Sequence, residues 1–492
     1  MVQGAQVEEG IASSRAANTV RPPSCPMNFA LPRSFIAFVV AFVAIVAAPA
    51  AESRLNVLFI FSDDLRPELG CYGTPGIKTP HLDALAQQSV RFNQAFVQYP
   101  LCNPSRTSML TGRYPTTTGV MTNRLWVGGF HPEWQTLPRF YKDNGYDTLR
   151  AGKIFHGGID DFDGWTEGGQ KRNFEGPNDT RKTGQVASNS DRIVVLEGEG
   201  ESHGDYVSAT RTIEYLQRAK ANGRPFLIAC GFTKPHSPPT APKKFFDLYD
   251  VEKIPLPVDF VSSPKAPAGV PPVALTKSGD LFIGREASAR EAREMKRAYW
   301  ASVSFVDAQV GRVLAALKET GLDRNTLVVF WGDHGYHLGE KGKWSKHNSL
   351  FEIGTRVPLM ISVPGSAANG RVCERVVESL DLYPTLADLC GLRAPGGLEG
   401  VSLKPLLRDP AAPWDRPAYS FALLQGILGR AVRTDRWRYA EWDEGKAGAF
   451  LFDRRNDPHE LKNLVDDSAH AATVKEMKQK LARFPGKPPR TN

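Results

Sequence analysis

The sequence predicts an α/β protein with a large, mostly parallel central sheet flanked by helices and a smaller C-terminal α+β subdomain. Three observations carry this. The runs NVLFIFSDD (residues 56–64), PFLIACGF (225–232) and NTLVVFWGDHG (325–335) are continuously apolar and then turn polar, as strands buried on both faces do. Amphipathic stretches with helical spacing lie between them, which implies crossovers joining parallel strands. The length of 492 residues, 41% hydrophobic and 23% charged, is enough for one large core and a smaller one.

From the N-terminus, Arg33 precedes an apolar stretch at 35–48 and then small residues suited to cleavage near Ala50. These are the three regions of an export signal, and the stretch is short for a membrane span. Residues 1–50 are therefore expected to be a signal peptide with an upstream extension, Met27 fitting as the true start. A catalytic domain is expected over 51–410 and a smaller subdomain over 411–492. Thr79 and Pro80 should open a helix through HLDALAQQSV, and RFNQAFVQ alternates as a strand. Helices at 137–144, from Asp205, and across 290–318 alternate with strands DTLRAGKIF and PFLIACGF, completing the pattern. Near the C-terminus, AVRTDRWRYAEW alternates as an antiparallel strand and 469–484 has helical spacing.

The formal charge is +8, of which +1 lies in residues 1–50 (Arg15, Arg21 and Arg33 against Glu8 and Glu9), leaving +7 beyond. That mild excess suits an anionic substrate, and with no dense basic run it excludes a nucleic-acid-binding class. Of six cysteines, Cys25 falls in the signal, leaving the odd set Cys71, Cys102, Cys230, Cys373 and Cys390 without C-x-x-C spacing. Four read as buried free thiols. Cys102, followed by a proline, hydroxyls and a guanidinium in LCNPSRTSMLTGRYP, reads as an exposed group placed for chemistry.

In parallel sheets reactive groups gather beyond the carboxyl ends of the strands, which is where Asp63, Asp64, Asp333 and His334 should meet. Their carboxylates suit a hard divalent cation, Ca²⁺ or Mg²⁺. His334 is either a ligand or a hydrogen-bond donor behind the ligands.

Cys102-Asn103-Pro104-Ser105-Arg106, with Leu110-Thr111-Gly112-Arg113 after it, resembles the C-x-P-S-R signature of the formylglycine-dependent sulfatases. Asp63-Asp64, Gly152-Lys153-Ile154-Phe155-His156, Lys234-Pro235-His236, Asp333-His334-Gly335 and Lys346 are similar to that family's successive active-site segments, in order. Within the family, DDLRPELGCYG, the Lys-Ile-Phe-His segment and YWASVSFVDAQVGRVL are most similar to the iduronate-2-sulfatase branch. The resemblance covers most of 55–405 and fades over 160–204, 260–290 and most of the C-terminal region, where LFDRRNDPHELKNL is similar to the family's closing segment.

The resemblance implies an alkaline-phosphatase-like fold and one calcium ion per chain, held by Asp63, Asp64, Asp333, His334 and the residue made from Cys102. It implies that a formylglycine-generating enzyme oxidises Cys102, that the hydrated aldehyde attacks sulfur, and that its second hydroxyl then lets sulfate be expelled. Arg106 would hold this group and Lys153 and Lys346 would neutralise sulfate oxygens. His236 would bind sulfate or protonate the leaving oxygen, and His156 would be the base. Arg66, His347, Asn348 and Arg356 lie beside these segments but outside the core set. Trp126 and Trp165 sit in loops able to stack on a sugar, and Arg433, Arg436 and Arg438 either select substrate or form a solvated face. The expected substrate is a sulfated carbohydrate, with a 2-O-sulfated uronate at a chain end as the specific expectation. The alternatives are a phosphate or phosphonate monoester hydrolase and an inactive sulfated-glycan-binding protein. The expected location is periplasmic or extracellular, lysosomal in an animal cell, with no membrane span after signal cleavage.

Overall fold

The computed structural model describes residues 54–174, 176–179 and 187–484, so the expected signal peptide lies outside the described residues. Among the described residues thirteen strands follow in chain order: β1 (Asn56–Asp63), β2 (Val90–Phe96), β3 (Asp147–Gly152), β4 (Val194–Leu196), β5 (Phe226–Pro235), β6 (Thr240–Pro242), β7 (Thr326–Gly332), β8 (Arg356–Ser362), β9 (Val372–Glu378), β10 (Ala418–Leu424), β11 (Ile427–Arg433), β12 (Trp437–Trp442) and β13 (Ala449–Asp453). Seven build the central sheet in the order β3-β5-β1-β7-β8-β2-β9, in which β8 alone runs antiparallel to its neighbours.

The apolar run of β1 alternates between two cores. Val57, Phe59 and Phe61 face one, with Met109 and Leu110 of the helix Cys102–Thr111; Leu58 and Ile60 face the other, with Val303, Val306 and Val310 of the helix Ala289–Glu319. A strand apolar on both faces needs helices on both faces, and it has them. The Ala289–Glu319 helix starts at a capping box in which the Ser288 and Glu291 side chains satisfy each other's backbone N–H groups. Thr79 caps differently from expectation: its Oγ1 accepts from Gly70 N (2.9 Å) and donates to the Asp83 side chain (Oδ1, 3.1 Å) instead of accepting a backbone N–H of the helix Pro80–Ala86.

The C-terminal strands form an antiparallel sheet, β10-β11-β12-β13. Its Tyr419, Val432, Tyr439 and Leu451 pack with Met477 and Leu481 of the helix Ala471–Ala482, while Ala431, Ala440, Phe450 and Phe452 pack with Phe351 of the larger lobe. The single strand expected in AVRTDRWRYAEW is a hairpin, because Thr434 Oγ1 accepts from Trp437 N (3.0 Å) and turns the chain between β11 and β12. Trp126 and Trp165 are buried instead of presented to a sugar, and Trp165 Nε1 donates to Asp160 Oδ1 at 2.9 Å. Arg433 and Arg438 are neither solvated nor ligand-facing. Both are buried against Glu352, and Arg436 pairs with Asp453.

Candidate active site

β1 and β7 run parallel in register up to Ser62 and Gly332, so the residues that follow emerge side by side. Asp333 N donates to Ser62 O (3.1 Å), and Asp64 N donates to Asp333 Oδ1 (3.0 Å). Asp64 has a left-handed backbone (φ 61°), unusual for a residue with a Cβ. Tyr299 stabilises it: the hydroxyl donates to Asp64 O (2.7 Å) and accepts from Arg66 N (3.2 Å).

Cys102 is the first residue of its helix, and at 1% exposure it is buried, contrary to the exposed position expected. Met109 and Leu110 further along the helix sink into the core and draw its N-terminus beneath the strand ends. There the thiol donates to Asp63 Oδ1 (3.4 Å) and lies 3.3 Å from His334 Nε2. His334 Nε2 is also 3.4 Å from Asp64 Oδ1 and 3.6 Å from Asp333 Oδ1. Burial and Asp63 push the thiol pKa up, yet Lys153, Lys346 and His334 outweigh them and hold it well below its ordinary value.

Cations surround these acids. Arg106 donates through Nε to Asp333 Oδ2 (2.8 Å) and through Nη1 to the carbonyls of Lys153 (2.7 Å) and Ile154 (2.9 Å), leaving Nη2 buried without a hydrogen-bond partner. Lys153 Nζ donates to Asp63 Oδ2. Lys346 Nζ lies 3.0 Å from Asp64 Oδ2 and 3.4 Å from Asp280 Oδ2. His236 Nε2 is 3.9 Å from Asp64 Oδ2, and its Nδ1 bonds Ser237 O at 2.7 Å. His156 keeps Nδ1 buried without a hydrogen-bond partner; burial lowers its pKa, Cys102 opposing. The pKa of His236 is raised, Asp64 overcoming its burial.

All ten residues singled out in the sequence thus meet at one place, from segments spread over residues 63–346. The structure adds groups that the motifs did not assign. Asp280 is buried, 3.4 Å from Lys346 and 3.3 Å from His347 Nε2. Lys346 and His347 outweigh its burial and hold its carboxyl well below the usual range. It lies in the 260–290 stretch where the resemblance fades, and nothing local marked it. Asp205 accepts from Thr233 N (2.8 Å) and Lys234 N (2.9 Å), and Lys234 Nζ donates to the carbonyls of His236 (2.7 Å) and Pro238 (2.9 Å), fixing the His236 loop. Burial pushes Lys234 down to about 8. Arg66 is instead held by Glu68 and Glu340, and Arg356 by Asn93 O.

The donor set fits a divalent cation. Asp63, Cys102, Asp333 and His334 bring ligand atoms within 4.8 Å of one another, as do Asp64, Cys102 and His236. Asp64 Oδ1 is buried and accepts no hydrogen bond, which leaves an anionic oxygen open to a cation. Three buried carboxylates with one imidazole form an oxygen-rich set of the hard-cation type.

Residues 55–392 match the Sulfatase family, and residues 339–487 match N-sulphoglucosamine sulphohydrolase, C-terminal. The iduronate 2-sulfatase of Mus musculus is 35% identical over 426 residues, covering 76% of this chain and 76% of that protein. A structure solved with its substrate D-glucosamine-2-N,6-O-disulfate superposes with a TM-score of 0.70 at 22% identity, covering 87% of this chain and 97% of the other. The phosphonate monoester hydrolase of Agrobacterium radiobacter superposes with a TM-score of 0.68 at 24% identity, covering 87% and 95%. Among the described residues no helix is long and apolar enough to cross a membrane.

Proposed function

This chain belongs to the sulfatase family of sulfuric ester hydrolases, and from that premise we propose that it removes sulfate from a sulfated carbohydrate, using formylglycine made from Cys102 and one bound calcium ion. The carrying observation is the position of Cys102: at a helix N-terminus, bonded to Asp63 and His334, with Lys153, Lys346, His156 and His236 around it.

Asp63, Asp64, Asp333 and His334, with the residue made from Cys102, would hold the calcium ion. The ion supplies positive charge that activates an attacking hydroxyl and neutralises sulfate oxygens. Oxidation of the thiol by a formylglycine-generating enzyme supplies a hydrated aldehyde, one hydroxyl to attack sulfur and a second to expel sulfate afterwards. Arg106 orients that side chain through Nη2, which has no hydrogen-bond partner and lies 3.8 Å from Asp63 Oδ1. Lys153 and Lys346 are aligned by carboxylates, so they meet negative charge developing on sulfate oxygens without reorganising.

The two histidines divide the proton work by environment. His156 is kept neutral by burial and has a free ring nitrogen to take a proton, whereas His236 is held towards its protonated form by Asp64 and can give one to the leaving alcohol oxygen. The likeness to iduronate 2-sulfatase supports a 2-O-sulfated uronate as substrate. An export signal over residues 1–50, followed by a catalytic domain to 410 and a smaller subdomain to 492, completes the reading.

The test is sulfate release from a heparin-derived disaccharide bearing a 2-O-sulfated uronate. The protein is co-expressed with the maturation enzyme, calcium-loaded and checked by mass for conversion at residue 102. Release carries the reading. The superposition on a phosphonate monoester hydrolase motivates the second one, and phosphonate turnover exceeding sulfate turnover under the same conditions would replace the first with it.

A further inference from the structure

Lys346 is 1% exposed, and a buried ammonium needs counter-charge and fixed acceptors. Its neighbours are Asp64 Oδ2 at 3.0 Å, Asp280 Oδ2 at 3.4 Å and the ring of Tyr336, whose centroid is 5.7 Å away. These two carboxylates are not equivalent. Asp64 belongs to the group of ligand atoms that converges with Cys102 and His236, whereas Asp280 belongs to neither converging group. A cation on Asp64 would draw its negative charge away from Lys346 and repel the ammonium. Asp280 is the carboxylate whose charge stays with Lys346 when that happens.

Asp280 is also placed to act on a second group. Its Oδ1 lies 3.3 Å from His347 Nε2, and the adjacent Gly279 brings the chain so close that a Cβ there would sit 3.3 Å from the His347 ring. The His347 side chain is 37% exposed, so the row Asp64, Lys346, Asp280, His347 runs from the buried acids to solvent. The second oxygen, Oδ2, faces Lys346 and has no hydrogen-bond partner, so the Asp280–Lys346 contact is electrostatic and no other donor competes for that oxygen.

We propose that Asp280 is a positioning residue: its carboxylate fixes the Lys346 ammonium where it meets an oxygen of the sulfate group, and its other oxygen anchors His347 at the solvent edge of the same site. This rests on the sulfatase reading above. It assigns an acid that touches neither the metal set nor the reacting atoms, and that acts only through its neighbours.

The test is a double-mutant cycle on the affinity of the calcium-loaded chain for inorganic sulfate, measured by calorimetry, which needs no turnover. Asp280→Asn keeps shape and removes charge. It should weaken sulfate binding about tenfold in the parent chain and less than about twofold in a Lys346→Ala background, because coupled residues are not additive. Calcium affinity should be unchanged by Asp280→Asn. Equal losses in both backgrounds, no loss in either, or a collapse of calcium affinity would each overturn the positioning role while leaving the sulfatase reading intact. Failure of the parent chain to bind sulfate at all would refute that reading and this inference with it. If the Asn variant does not fold, Asp280→Glu, which keeps the charge but moves it by one methylene, decides by the same cycle: a loss confined to the background containing Lys346 supports the role, and any other pattern refutes it.

Discussion

Glu352 joins the two lobes, and its replacement has a magnitude that can be worked from the contacts. It lies just before β8, where Oε2 accepts from Arg433 Nε (2.8 Å) and Arg438 Nη2 (2.8 Å) and lies 3.3 Å from Arg454 Nε. Glu460 completes the cluster, 3.1 Å from Arg438 Nε, with Oε2 accepting from Glu352 N at 2.9 Å. Three guanidiniums therefore share two carboxylates, and Arg438 is fully buried. Glu352→Gln leaves three cations against one anion away from water, a loss of about 3 to 5 kcal/mol for breaking a buried network. Unfolding of a chain this size carries an entropy of roughly 0.9 kcal/mol per kelvin, so Tm should fall by about 3 to 6 °C in calorimetry. Arg455→Gln is the control: its pair with Asp435 has side chains 63% and 68% exposed, and its removal should cost at most ~0.5 kcal/mol. Equal, small shifts in the two variants would refute the claim that this buried cluster holds the C-terminal sheet to the larger lobe.

Cys102→Ser should nearly abolish sulfate release with Tm unchanged, because a serine can accept the sulfuryl group but has no second hydroxyl to expel it; turnover at the parent rate would sink the formylglycine argument. Chelation should lower both activity and Tm, and added calcium should restore both, since an ion bound only by the folded chain stabilises it; an unchanged Tm would count against the metal site. Glu378 donates its own N–H to Asp381 Oδ2 (2.9 Å) and accepts from Tyr114 OH at Oε2 (2.7 Å), and burial, then Asp381, pushes its pKa up to about 8. A raised carboxyl pKa gives stability that is full below the ordinary carboxylate range and lost as pH rises through about 8, so Glu378→Gln should flatten the fall in Tm between about pH 5 and pH 8, and an unchanged slope would contradict the shift.

Much of this was legible because the chemistry sits at the ends of continuous apolar runs. NVLFIFSDD and NTLVVFWGDHG announce buried parallel strands and place Asp63, Asp64, Asp333 and His334 at their tips, and β1 and β7 are neighbours in the sheet. Residues that act through long-range packing were not legible. Asp280 has no periodic context in LTKSGDLF, and its partners are 66 and 67 positions away. The exposure of Cys102 was misjudged because the local string NPSR is polar, whereas burial is decided by where Met109 and Leu110 pack. Arg433 and Arg438 were expected either to select substrate or to form a solvated face, but both faces of the C-terminal sheet are covered, one by the helix Ala471–Ala482 and the other by the larger lobe.

The charge inventory of the site bears on which ester it suits. Asp63, Asp64, Asp280 and Asp333 face three permanently charged cations, Arg106, Lys153 and Lys346, with all seven side chains at most 17% exposed. His236, held towards its protonated form by Asp64, adds a fourth positive charge, so the protein's own groups balance. A divalent cation then adds two positive charges, which a sulfate or phosphonate monoester, each a monoanion, reduces to one and a phosphate monoester near neutral pH brings closer to zero. Net charge therefore does not select sulfate, and the choice among these esters passes to groups that sense the ester's shape and leaving alcohol, His236 and His347 at the solvent edge of the site.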